Sequence, residues 1–166
     1  MLAGMTEAEQ IVPSATTDIV IRRATATDVP GILALLVDDE IAARREKPDD
    51  LAPYQAAFDA IDADPNQVLV VAERNGELVG TLQLTIIPGL SRVGATRGLV
   101  EGVRVAASAR STGLGTRLME WSIEESRGRG CTIVQLTSDK ARVDAHRFYD
   151  RLGFANTHEG FKLTLS

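Results

Sequence analysis

Apolar positions recur along this chain with two different periods, and the switches between them lay out the elements. Residues 19–23, Ile-Val-Ile-Arg-Arg, read as a first strand. Thr27 or Asp28 then caps a helix with Pro30 in its first turn and an apolar stripe of Ile32, Leu33, Leu35 and Leu36. Residues 48–63 form a second helix, closed by Asp64-Pro65-Asn66. Strands over 68–74 and 78–87 flank Asn75-Gly76, a strong hairpin signal. The segment 88–98, with three glycines and a proline, is a loop. A fourth strand over 99–105 leads through a glycine-containing turn into a helix over 114–127, which Gly128-Arg129-Gly130 stops. A fifth strand over 132–137, a helix over 142–151 ending at Gly153, and a last strand over 161–165 complete the pattern.

The order is therefore β-α-α-β-β-β-α-β-α-β. A strand–helix–strand passage across 99–137 requires a right-handed crossover and a parallel pair, while the hairpin is antiparallel. The expected class is α/β, a single domain over 18–166 with a mixed sheet flanked by helices. Residues 1–17 are small, polar and patternless and read as a flexible tail, within which Met5 is a candidate start.

Composition narrows the function classes. With 166 residues, 18 Lys+Arg and 23 Asp+Glu, the net charge is −5, and only four Phe, two Tyr and one Trp supply aromatic rings. Nucleic-acid binding, which wants a basic face and stacking platforms, is not expected. One cysteine, Cys131, makes no internal disulfide, and with only His146 and His158 beside it no metal site is expected. No apolar run approaches the roughly 18 residues of a membrane helix. The first residues lack the basic start and apolar core of a signal peptide, so a cytoplasmic location is expected.

The charge is uneven. Residues 1–80 carry 6 basic and 15 acidic side chains, net −9, and residues 81–166 carry 12 and 8, net +4. Solvated helix faces would account for this. So would an anion met by the second half.

The second reading gains from Val103 to Thr116, a strand, a turn containing Gly113 and Gly115, and a helix that starts at once. The first amides of a helix have no internal partner and carry partial positive charge. Glycines let a ligand approach the backbone, and Arg110 adds a cation, so the combination suits a phosphate or pyrophosphate. It lacks the Gly-Lys-Ser/Thr end of a P-loop and the G-x-G-x-x-G spacing of a dinucleotide fold. A tight strand-to-helix turn with no ligand is the structural alternative. Gly102 inside the preceding strand is what a bulge needs, and a bulge frees backbone donors.

Arg110-x-x-Gly113-x-Gly115 after a strand resembles the pyrophosphate loop of the GNAT superfamily of acyl-CoA N-acyltransferases. Ala145-His-Arg-Phe148-Tyr149-Asp-Arg-Leu-Gly153-Phe154 is similar to that family's Ala-x-x-Phe-Tyr-x-x-x-Gly-Phe helix, and the resemblance extends over roughly residues 19–165. Ser111 replaces a usual Gly, Ala107 a common Pro, and Arg142 an Asn that touches the cofactor.

The resemblance implies a mostly antiparallel sheet with a splayed parallel pair, and acetyl-CoA as co-substrate. Its pyrophosphate would lie on Ser111, Thr112, Gly113, Leu114, Gly115 and Thr116, with Arg110 and Arg142 nearby. Its pantetheine arm would run beside Val103, Arg104 and Val105, where an amide, that of Val103 or a neighbour, polarises the thioester carbonyl. Tyr149 would protonate the departing thiolate. The other reading of Tyr149 is a buried structural phenol. Glu101 is a candidate base. Period-two reading places it on one strand face with Leu99, Val103 and Val105, where burial would raise its pKa. Alternatively it pairs with Arg97 or Arg104 at an edge.

Cys131 reads as packing, and His146 as partly exposed. Glu101 and His158 are candidates for the acceptor pocket. The implied function is transfer of acetyl to a primary amine of a small molecule, with a homodimer expected from similarity to small-molecule branches such as the tabtoxin-resistance and glucosamine-phosphate acetyltransferases. A protein or peptide amine acetyltransferase and a non-catalytic acyl-CoA-binding module are the alternatives.

Overall fold

The computed structural model describes residues 18–165. The tail expected over 1–17 lies outside them. A five-stranded sheet runs in the order β1-β2-β3-β4-β5, formed by Ile19–Arg23, Gln67–Arg74, Glu77–Ile87, Arg97–Val105 and Ile133–Leu136. The first three junctions are antiparallel and β4 with β5 is parallel, as the mixed-sheet reading requires. Asn75 and Gly76 both adopt positive φ, 53° and 82°, as a two-residue hairpin turn demands.

Helices cover both faces. α5 (Leu114–Gly128) supplies Leu114, Leu118, Met119 and Trp121 to a core shared with Val68, Val70, Leu82, Leu84 and Val100. On the other face α1 (Val29–Val37) and α3 (Ala52–Ala63) bring Val29, Ile32 and Phe58 onto Val71. The stripe expected on α1 is buried at Ile32, Leu33 and Leu35 and half-buried at Leu36. Contact between α5 and β4 is close enough to exclude a methyl group. A Cβ on Gly98 would sit 2.5 Å from the Ser126 hydroxyl, which donates to the Ser122 carbonyl at 2.6 Å.

Four expectations need correction. The segment before α3 holds an additional one-turn helix, α2 (Glu40–Ala43), and α3 starts at Ala52 rather than 48. The 88–98 loop contains a single turn, α4 (Ser91–Gly94), left-handed at Arg92 and Val93, and β4 starts at Arg97. The helix after β5 is α6 (Val143–Arg151). Most consequentially, residues 161–165 form no strand. They are exposed, and no backbone among the described residues pairs with them.

The entry into α1 is fixed by a charge cluster. Asp28 is only 7 % exposed, and its carboxylate accepts from both terminal nitrogens of Arg22, at 2.7 and 3.0 Å. The Thr25 backbone N–H and hydroxyl also donate to it, and Asp28, one of the two caps expected, is the N-cap residue of α1. Arg22 reaches Glu73 on β2 as well. Burial pushes the Asp28 carboxyl up, but the hydrogen bonds from Arg22 and Thr25 outweigh it and hold the group below its usual 3.8. A carboxyl depressed in the folded state stabilises the fold above its unfolded pKa and loses that contribution as pH falls through the folded value. Asp28→Asn is therefore expected to cost about 2–3 kcal/mol near neutral pH, with the gap to the parent chain narrowing below pH 3.8. Urea unfolding of both chains across pH 2.5–7 checks it, and a pH-independent gap would remove the ionic contribution.

Candidate active site

Pairing between β4 and β5 is brief. Arg97 to Val100 pair with Ile133 to Leu136, and the remaining five residues of β4 run on without β5 beside them. At that point β4 also breaks register with β3. Gln83 faces Glu101 and Thr81 faces Arg104, so Gly102 and Val103 together oppose Leu82. This is the expected bulge, and Gly102 occupies it with φ 61°, a conformation that side-chain-bearing residues pay strain to adopt.

The bulge overturns the period-two reading of the strand. Val100 lies in the core before it, and Val103 and Val105 pack on the same core after it, so parity shifts by one. Glu101 therefore falls on the opposite face, across from Gln83, and is exposed rather than buried. Among the described residues it forms no ion pair with Arg97 or Arg104.

After Val105 the chain turns through Ala107–Ala109. Thr112 donates its hydroxyl to the Ala109 carbonyl at 2.7 Å, and Ser111 and Gly113 adopt φ of 62° and 82°. The first intrahelical bond of α5 is Arg117 N–H to Gly113 at 3.1 Å, which leaves the amides of Leu114, Gly115 and Thr116 at the helix start. Gly113 has open space where a Cβ would be. A Cβ on Gly115 would be in ordinary contact with the Phe148 ring, 3.4 Å away, so the packing of α6 on α5 does not itself require glycine there.

Both candidate cations are already engaged. Arg110 pairs with Asp38 at 3.0 Å, and Arg142 grips Asp39 through two nitrogens at 2.5 and 2.7 Å. Asp38 and Asp39, between α1 and α2, thus tie the α1 end to the turn before α5 and to the start of α6. These two acids escaped the sequence reading. The signal was there in Asp38-Asp39-Glu40, the densest part of the acidic half. An open cleft of about 400 Å³ lies beside Asp39, Glu40, Ile41, Arg142 and Val143.

Arg104 opposes Thr81 on the far side of the bulge and donates to the Val103 carbonyl at 2.8 Å, while its buried Nε finds no partner. Burial lowers its pKa, Asp39 opposes that shift, and Arg142 adds to it. Tyr149 on α6 is half-buried between Phe148 and Phe154, with ring centroids 5.2 and 6.0 Å away. Burial raises its phenol above 10, and Arg104 and Arg142 partly offset the rise. Arg104, Arg142 and Tyr149 are thus near enough to act on one another electrostatically, with Asp39 beside Arg104. His158 is exposed and hydrogen-bonds its neighbour Thr157. His146 meets the Asp139 carbonyl, and burial raises the Cys131 thiol, in keeping with packing.

The splayed parallel pair, the bulged strand and the glycine turn opening a helix are features that the family resemblance implied. Residues 30–154 match the Acetyltransferase (GNAT) family. The chain belongs to that family. An aminoalkylphosphonate N-acetyltransferase of Salmonella typhimurium is 31 % identical over 148 residues, covering 87 % of this chain and 90 % of that one. An L-methionine sulfoximine/L-methionine sulfone acetyltransferase of Pseudomonas paraeruginosa is 33 % identical over 138 residues, covering 81 % and 78 %. A solved structure described as a transcriptional regulator from Bacillus halodurans superposes with TM-score 0.86 at 42 % identity, covering 89 % of this chain and 99 % of that one. As a GNAT member the chain is an N-acetyltransferase. Among its described residues no helix is long and apolar enough to cross a membrane.

The strain at the bulge is testable without any ligand. Gly102→Val forces a β-branched residue into left-handed backbone and is expected to lower stability by about 1–2 kcal/mol. Guanidinium unfolding checks this, and an unchanged midpoint would mean that the bulge relaxes freely.

Proposed function

We propose that this GNAT enzyme transfers acetyl from acetyl-CoA to the primary amine of a small molecule, by direct attack of the amine within the β4–β5 opening. The observation that supports the reading is that β4 loses β5 beside it after Val100, bulges at Gly102 and Val103, and leads to a helix start where the amides of Leu114, Gly115 and Thr116 precede the first intrahelical bond. Ser111, Thr112, Gly113, Leu114, Gly115 and Thr116 hold the pyrophosphate with Arg110, and Arg142 stands on the α6 side. Replacing the usual Gly by Ser111 leaves the turn intact, since Ser111 reaches positive φ itself. Val103 and Val105 offer backbone to the pantetheine arm, and the Val103 amide polarises the thioester carbonyl.

Tyr149 gives its proton to the leaving thiolate. Its raised pKa keeps the phenol protonated at working pH, so this donor is lost only above the ordinary value near 10. Glu101, exposed on the α1 side of the bulge, receives the amine and takes up its proton directly or through water. Being exposed, it acts through position and not through burial.

The acceptor carries an acidic group. Aminoalkylphosphonate and methionine sulfoximine, for which two relatives are named, are both small amines with an acid, and Arg104 holds a buried, unpartnered Nε on the acceptor side of the strand. The enzyme works in the cytoplasm as a homodimer. The large apolar side chains left bare at Phe161, Leu163 and Leu165 support the dimer.

Calorimetric titration with acetyl-CoA, with ATP and NAD as controls, is expected to show binding of acetyl-CoA alone. No binding would overturn the reading. Tyr149→Phe is expected to lower kcat by about 100-fold or more while leaving acetyl-CoA affinity unchanged. Steady-state assays of CoA release with an acidic amine check it, and an unchanged kcat would remove Tyr149 as the acid.

A further inference from the structure

The face of the sheet turned away from α5 is covered unevenly. On β3, Leu82, Leu84 and Ile86 are buried in the core shared with α5, while the alternate residues Gln83 and Thr85 are only half-buried. α1 meets β3 near its start, where a Cβ on Gly31 would strike the Leu78 side chain. Val71, Leu69 and Leu78 belong to the cluster under α1 and α3, and Gln83 and Thr85 do not. A strand paired on both sides thus presents two polar side chains on an accessible face. The register sets Glu101 opposite Gln83 and Arg104 opposite Thr81, on that same face. In an unbroken strand, residues at i and i+3 point to opposite faces, so it is the bulge that brings Glu101 and Arg104 together. They stand two ladder positions apart, roughly 7 Å along β3.

Gln83 is not a loosely solvated side chain. Its Nε2 donates to the Oε1 of Gln67 on β2 at 3.0 Å, and the Thr85 hydroxyl donates to the same oxygen at 2.9 Å. Two donors fill the lone pairs of that oxygen and fix which way both amides are turned. Gln83 therefore commits its nitrogen to β2. Its own Oε1 stays an acceptor without a partner among the described residues, on the strand beside Glu101. Cβ atoms of residues directly opposite on neighbouring strands lie about 5 Å apart, so one small group can touch both side chains.

A primary amine attacking a thioester aims its lone pair at the carbonyl carbon and keeps two N–H bonds. Each of them needs an acceptor once water is excluded. We propose that the Gln83 Oε1 is one of these acceptors and Glu101 the other, with Gln67 and Thr85 as positioning residues that aim the Gln83 amide. Of the three protons on the incoming ammonium, one is released through Glu101 before attack. A second, shed as the adduct collapses, balances the proton that Tyr149 gives to the thiolate. The third stays in the amide. A secondary amine brings only one N–H to the same place and leaves the Gln83 oxygen facing an alkyl group, so the pair selects primary amines. Arg104, on the same face, then meets the acid of the acceptor a few bonds away from its nitrogen. This deepens the proposed function and rests on Glu101 receiving the amine.

The test compares CoA release with L-methionine sulfone and with aminomethylphosphonate against their N-methyl derivatives. The unaltered chain is expected to favour the primary amine by about 100-fold or more in kcat/KM. Gln83→Met, similar in size but without the carbonyl, is expected to raise KM for the primary amine about 10-fold and to cut the preference by a like factor. Acetyl-CoA affinity, read by calorimetry, is expected to stay unchanged. A steric preference would survive this exchange, so an undiminished preference overturns the proposal, as does equal use of both amines by the unaltered chain. Thr85→Val is expected to raise the same KM, and Thr85→Ser, which keeps the hydroxyl, to restore it; equal KM values in the two variants overturn the positioning role. One readout needs no turnover and so separates this inference from the transfer reaction. The Gln83 side-chain amide, assigned in a nitrogen–proton correlation spectrum by its loss in Gln83→Met, is expected to shift when Gln67→Met removes its acceptor. An unmoved amide overturns the proposal even if the chain transfers acetyl.

Discussion

Beyond Val100 and Leu136 the two parallel strands no longer pair, and the rest of β4 runs on without β5 beside it. The bulge at Gly102 sits just past this point and turns β4 further out of register. A left-handed glycine is the local requirement, and the crossover through α5 is the global one. The crossover ends β4 at a helix start, where unpaired amides collect. The donors proposed for the cofactor are therefore backbone groups whose positions the sheet and the helix set. The proposal leaves charge and proton transfer to side chains. Substitutions such as Ser111 or Arg142 can change the rim without dismantling this cradle.

Charge gives the cleft its second layer. The excess of acid in the first half of the sequence and of base in the second is realised as contacts across the opening, Asp38 with Arg110 and Asp39 with Arg142. The Arg110 pair is half-exposed and contributes little stability in water. Its consequence is placement, since the arginine already stands at the mouth of the helix start. The Asp39 pair is more enclosed and holds Arg142 through two bonds, which leaves Arg104, with its idle Nε, as the cation of this cluster not held by an ion pair among the described residues.

Most of the scaffold was legible in the residues because local signals and global pattern agree there. Asn75-Gly76 permits one kind of turn, and the α5 stripe of Leu114, Leu118 and Trp121 has one period. The glycine turn and the Phe148-Tyr149 helix carried the family resemblance for the same reason. What misled was periodicity run through Gly102. Counting by twos assumes an unbroken ladder, and a single extra residue moved Glu101 from the expected core face to an exposed one. Asp38 and Asp39 were hidden differently. Their partners lie 72 and 103 residues away, and no local pattern announces a contact at that distance.

The last strand shows a third way in which sequence and single chain part company. Alternation at Phe161, Leu163 and Leu165 states that these residues are built to be half-buried in a sheet, but it does not say in which sheet. Strand propensity is a preference for a partner edge, and one isolated chain offers that partner only if its own fold returns to it. Here the chain beyond α6 pairs with no strand among the described residues, and the apolar face stays bare.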